Sequence, residues 1–196
     1  MSDSIRTTHV GSLPRNQRVV DLIFARERGE PFDRTVFEFT MGEEVAATVE
    51  RQVACGIDVV SDGETSKISY ATYVKDRYTG FGGDSPRNAP ADLKQFPGFL
   101  DRIARSGGTP EYARPCCIDE VRPGDPADLE ADIRHLLAAI KKHQAAAGFM
   151  NAASPVSRRC FCQIVITQTT KPILRRSPMH FVTSTRRSRL LVYCSR

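Results

Sequence analysis

Residues 52–67 read "QVACGIDVVSDGETSK". Within this short stretch the chain passes from helix to strand to loop. Val45, Val49 and Val53 recur at i, i+4 and i+8, so the spacing predicts a helix over about Met41–Ala54. Gly56 suits a left-handed cap at its C-terminus. "IDVVSD" follows as a short β-branched, apolar run, the pattern of a buried strand. Gly63 then opens a loop between two acids, Asp62 and Glu64.

The same order recurs downstream. "GDPADLEADIRHLLAAIKKHQAAAG" predicts a helix with Asp125 as its cap and Pro126 as its first residue. Leu129, Ile133, Leu136, Leu137 and Ile140 line one face, and Lys141, Lys142 and His143 suit the C-terminal end of the dipole. Gly148 is expected to end it, and "FMNAAS" to form the next strand. Upstream, Thr7–Ser12 reads as a strand. Asn16 then caps a helix to about Arg28, with Val19, Val20, Ile23 and Phe24 as its stripe and Gly29 as its stop. Residues 78–110, rich in glycine and proline, read as a long loop with one short helix near 91–106, and "RPCCIDEV" as a further strand. The order β-α-α-β-loop-β-α-β predicts an α/β fold with a parallel sheet. Functional groups then belong at the C-terminal ends of strands, where His9–Ser12, Asp62–Glu64 and Ser154-Pro155 fall.

The formal charge of +5 hides an asymmetry. Residues 156–196 carry nine Lys or Arg and no Asp or Glu, which leaves 19 basic and 23 acidic residues before them. The first 155 residues are therefore mildly acidic. "MSDSIRTTHVGSLPR" contains no apolar core of a secretion signal, and no run reaches the length of a membrane span. The six cysteines are expected as thiols, and the expected compartment is the cytoplasm, with no membrane or nucleic-acid partner. Cys160-Phe161-Cys162 has no zinc spacing around it, and the arginine pairs have no interleaved aromatic platform. Adjacent Cys116 and Cys117 point to opposite faces of a strand and are poorly placed to share a metal.

"THVGSLPR" sets a His, a Gly and a Ser at the end of the first strand. Glycine lets backbone N–H groups approach a ligand, and a serine hydroxyl can bond a carboxylate. A plain turn with a satisfied His fits equally. "SDGE" offers a carboxylate to an ammonium group, or a solvated acidic turn. Arg114 can meet an anion or simply face water.

Four blocks, "RTTHVGSLPR", "QVACGIDVVSDGETSK", "YVKDRYTGF" and "AGFMNAASP", resemble in order the cobalamin-independent methionine synthase family, and most its short, single-barrel bacterial members. The resemblance covers residues 5–155. It implies the N-terminal half of a (β/α)8 TIM-type barrel and a zinc-dependent methyltransferase that carries a methyl group from a methylated folate, 5-methyltetrahydropteroyltriglutamate, to homocysteine. Epoxyalkane–coenzyme M transferases share the barrel, so alkyl transfer to another thiol such as coenzyme M is the alternative within the enzyme class. By the same resemblance Gly11 and Ser12 grip the homocysteine carboxylate, Glu64 holds its amino group, His9 belongs to that loop, and Arg114 lies where the methyl donor approaches. A thiol with a pKa near about 8.5 is a poor nucleophile at neutral pH, and zinc corrects this. The family's zinc ligands lie in the second half of the barrel. No Cys or His here matches them, so no metal ligand and no catalytic residue is assigned, and zinc is expected not to bind this chain.

Family members continue after "AASP" with a glycine, apolar residues and a Tyr-rich segment. Read one base earlier, the codons from Val156 permit S-P-G-V-A-A-V-F-L-P-N-R-Y-Y from Ser154 on, and those from Arg175 permit an acidic amphipathic helix. The positions the shift forces, such as Leu in place of Cys162 and Ala in place of His180, suit that pattern. Residues 1–155 are thus expected to be a partial methionine-synthase-like barrel. Residues 156–196 are expected to be a frameshifted tail, disordered or poorly packed, and the chain to be inactive and marginally stable. The contrasting class is a non-catalytic binding protein that uses its basic tail.

Overall fold

Two side-chain caps start the first helices. In the computed structural model, which describes residues 5–69, 72–83, 95–99, 102, 115–152 and 190–194, Asn16 accepts from the Val19 N–H at 2.9 Å and opens α1, Gln17–Glu27. Asp33 accepts from the N–H groups of Thr35 and Val36 at 2.7 and 3.1 Å and opens α2, Arg34–Ala54. The sequence reading starts α2 two turns too late. Val36 and Phe39 are exposed there, so the first turns carry no clean apolar stripe, and the cap is the better signal. At the other end Gly56 has φ +78°, as expected. The N–H of Gly56 reaches Val53 O and that of Ile57 reaches Gln52 O, both at 3.0 Å, which satisfies two carbonyls of the last turn.

The chain then enters β1, Val59–Ser61. β1 pairs in parallel with β4, Ala147–Ala152, from Val59 opposite Ala147 to Ser61 opposite Phe149. β4 pairs in parallel with β5, Leu190–Cys194, a strand the sequence reading does not anticipate. Thr7–Ser12 differs from expectation: it makes a single parallel bridge, Thr8 to Val59, and no strand. Side chains take over the ladder there. Asp58 accepts from the Thr7 N–H at 2.7 Å, and the Thr8 hydroxyl donates to Val59 O at 2.6 Å.

α3, Ala127–His143, packs α2 and the sheet. The helix begins one residue later than expected, with Pro126 and not Asp125 at the cap position; Asp125 accepts from the Ala127 N–H at 2.9 Å just ahead of it. The helix ends at left-handed Gln144, φ +55°, before Gly148. Gly148 lies inside β4 instead. A Cβ there would overlap the Cδ1 of Ile140, so the missing side chain lets helix and strand close together. Val49, Val60 and Leu136, all fully buried, centre the core with Val45, Ala139 and Met150. A second cluster, Val19, Ile23, Phe37 and Met41, joins α1 to α2.

The third expected strand is present but lies outside the parallel sheet. β3, Cys116–Pro123, pairs antiparallel with β2, Tyr78–Gly82, which follows a 3-10 turn at Thr72–Asp76. Residues 78–82 form this strand in place of the expected loop; glycines at 80 and 82 conceal their alternation in the sequence. Of the expected helix near 91–106, residues 97–99 and 102 are helical, 95 and 96 are not α-helical, and the others fall outside the described residues. The register shifts between Thr79 and Phe81, at Gly80 with φ +86°. A Cβ at Gly80 would stand 2.6 Å from Glu120 O. Gly80→Ala is expected to destabilise the chain by about 2 kcal/mol or more, from left-handed strain and this backbone clash. A urea titration checks it, and an unchanged midpoint would contradict the bulge geometry. Among the described residues no helix is long and apolar enough to cross a membrane.

Candidate functional site

Parallel strands set their C-terminal ends on one side, and three polar segments meet there. Glu64 follows β1 in the left-handed conformation, φ +55°, and is 2% exposed. The Ser12 hydroxyl donates to its Oε2 at 2.6 Å. From the end of β4, Asn151 Nδ2 donates to its Oε1 at 3.2 Å. Among the described residues each carboxylate oxygen thus has one neutral donor, and Ser12 itself faces solvent.

The loop around Glu64 is tied on every side. Asp62, also buried, accepts from the Glu64 N–H at 3.1 Å, and its carbonyl accepts from the Thr65 hydroxyl at 2.7 Å. The Leu13 N–H reaches Gly63 O at 3.0 Å. Arg15 donates to the carbonyls of Glu64, Thr65 and Lys67. Burial pushes the Arg15 guanidinium below its ordinary pKa, with Glu64 and Asp62 pulling the other way. Lys67, 4% exposed, donates to Asn151 O at 2.8 Å and lies over the Tyr73 ring. Beneath, Gln52 holds both backbone groups of Ser61, accepting from its N–H and donating to its carbonyl at 2.9 Å each. Buried charge is tolerated when it is hydrogen-bonded, and here two carboxylates and two cations each bond groups of the same few segments.

Of the residues singled out in the sequence, Ser12 and Glu64 come together. Gly11, φ +103°, forms the turn just before Ser12. His9 shares no hydrogen bond with them. It lines a cavity of about 250 Å3 with Leu13, Pro14, Thr48, Cys55 and Ile57, and its Nε2 is buried with no hydrogen-bond partner among the described residues. Arg114, Ser154 and Pro155 lie outside the described residues. Sequence reasoning missed Asn151, Arg15 and Lys67. A lone polar residue at the end of a buried strand was the available signal for Asn151, whereas Arg15 and Lys67 look like surface cations.

Among the described residues no group of three His, Cys, Asp or Glu is placed to hold a metal. The acids beside Ser12 are engaged as above, and neither sulfur nor imidazole is bonded to them. Among the described residues, those around Ser12 do not fit a zinc site.

A second polar cluster joins α3 to the 72–82 segment. Arg77 Nη2 meets Asp132 at 2.5 Å and Nη1 lies 3.9 Å from Asp128, which also pairs with Arg26 and Arg34. Burial pushes the Asp132 carboxyl up and outweighs the opposing Arg77 charge. A folded-state pKa above the unfolded value, about 3.9, means that the folded chain binds the extra proton in that window. Its stability contribution is full below the unfolded pKa and is lost as pH rises through the folded one. The stability difference between Asp132→Asn and wild type is therefore expected to move in favour of Asn as pH rises from about 4. Urea midpoints across acidic and neutral pH measure this, and a movement in favour of Asp would contradict it.

No protein-family model matches the chain, and no curated protein matches it. Among solved structures, a B12-independent methionine synthase from Shewanella sp. W3-18-1, in complex with selenomethionine, superposes with a TM-score of 0.58 at 16% identity, covering 86% of this chain and 43% of that one. The chain thus corresponds to less than half the length of that protein. The likeness establishes the fold: a mixed α/β arrangement of helices and small sheets similar to that of a methionine synthase.

Proposed function

We propose that the chain is part of a methionine-synthase-type methyltransferase and that the Ser12–Glu64–Asn151 cluster takes the amino-acid end of homocysteine. The observation that carries this reading is the buried Glu64 carboxylate, bonded by neutral donors on both oxygens at the C-terminal side of a parallel sheet. An incoming ammonium replaces the Ser12 hydroxyl on Oε2 with a stronger, charge-assisted bond. The freed hydroxyl and the backbone N–H groups around Gly11 then serve the ligand's carboxylate. The likeness to a methionine synthase solved with selenomethionine supports the same class of ligand.

In the complete reaction the sulfur of homocysteine forms a bond to the methyl carbon as the N–CH3 bond of the methylated folate breaks. The folate nitrogen takes up the proton that the thiol gives up. In this proposal the described residues bind and orient the amino-acid end, none of them activates the sulfur, and the resemblance assigns Arg114 to the folate. The half-barrel architecture, a cytoplasmic setting and the frame change after Pro155 belong to the same proposal. For the last, the nucleotide sequence decides: an alternative frame that closes within a few codons after Arg196, with no family-like continuation, would sink it.

Calorimetry on the full chain tests the binding step. L-homocysteine and L-methionine are expected to bind, and 2-mercaptoethanesulfonate, which has no ammonium group, is expected not to. Equal binding of the sulfonate would instead support the coenzyme M alternative, because Glu64 would then have no partner.

A further inference from the structure

We propose that Arg15 is the positioning residue of this site: its guanidinium holds residues 62–67 in the backbone shape that presents the Glu64 carboxylate to Ser12 and Asn151. The inference rests on the amino-acid-binding reading above. Arg15 Nη2 donates to Glu64 O at 2.7 Å and to Lys67 O at 2.8 Å, and Nε donates to Thr65 O at 2.9 Å. Three carbonyl oxygens of one short loop therefore converge on a single side chain. Such oxygens repel one another unless a donor stands among them; Glu64 O also accepts from the Lys67 N–H at 3.1 Å, so the Thr65 and Lys67 carbonyls depend on Arg15 the most. The loop also carries Glu64 at φ +55°, a conformation that a residue with a Cβ rarely adopts unless its surroundings impose it.

The same N-terminal segment touches Glu64 at both ends. Ser12 reaches its carboxylate and Arg15 reaches its carbonyl, while the Leu13 N–H reaches Gly63 O between them. The turn "GSLPR" thus sets the side chain and the backbone of Glu64 together. A guanidinium offers five donors in a rigid plane, whereas a lysine ammonium is a compact charge on a flexible stem. Lysine at position 15 keeps the charge and loses the simultaneous grip.

Arg15→Lys in the full chain is the test, with L-methionine as the probe. Affinity is expected to fall at least about tenfold, the loss of roughly one charge-assisted hydrogen bond. Amide exchange at Thr65–Lys67 is expected to quicken by a similar factor while the amides of Val49 and Leu136 stay protected. A residue that merely supports the fold would change both sets together, and that outcome, or binding within twofold of wild type, would overturn the proposal. If the variant does not fold, the wild type decides. Its Arg15 Nε–H must be protected from solvent exchange, and free exchange would overturn the proposal. If wild type binds no L-methionine, the amino-acid reading fails, and the exchange data alone decide whether Arg15 holds the loop.

Discussion

Replacing Glu64 by Gln is expected to weaken L-methionine and L-homocysteine binding about 100-fold while leaving the fold in place. The substitution keeps the size of the side chain and leaves an acceptor for Ser12 or Asn151, but it removes the charge that meets the ligand's ammonium. Breaking one half of a buried, hydrogen-bonded charge pair costs roughly 2–5 kcal/mol, and the lower part of that range corresponds to the expected factor. Glu64 is 2% exposed, so water does not restore the lost interaction. Stability should fall little, or rise, because the variant no longer buries a carboxylate beside Asp62. Calorimetric titration and a urea curve on the same sample make the comparison. A variant that binds both amino acids within a few-fold of wild type would remove Glu64 from the site.

The second large effect belongs to the core. Leu136 is fully buried in α3 and packs among Val49, Val60 and Met150 where α2, α3 and the sheet meet. Leu136→Ala is expected to destabilise the chain by about 3 kcal/mol, the sum of lost transfer energy and the cavity left behind. Domains of ordinary stability have only about 5–15 kcal/mol to lose, so the urea midpoint should drop by roughly 1–2 M. A loss below about 1 kcal/mol would mean that the site collapses around the smaller side chain, or that α3 does not seat on the sheet as described.

The helix–glycine–strand passage at residues 52–67 was legible because each of its signals is local. Valines at helical spacing, a glycine that reaches positive φ and a β-branched run specify the end of α2, the turn and β1 within one short window. The cap at Asn16 was legible for the same reason, and the start of α3 was legible to within one residue. The first turns of α2 were missed where exposed Val36 and Phe39 broke the stripe. β2 was missed where glycines carried the bulge that pairs it with β3. Ser12 and Glu64 were visible as polar residues after strand segments, and a resemblance supplied their roles. Asn151 lies 87 positions from Glu64 along the chain, and no window short enough to show a pattern contains both.

The sequence by itself determined the α/β alternation, the placement of an acid and a serine after successive strand segments, and the contrast in charge between residues 1–155 and 156–196. Each of these depends on near neighbours along the chain or on composition. Only the tertiary structure decided that β3 leaves the parallel sheet, that Gly148 serves packing under Ile140, and that Arg15 turns inward to three carbonyls. The reason is physical. A buried polar group is specified by which distant donors and acceptors the fold brings to it, and an arginine reads the same in sequence whether it meets water or the backbone of a loop.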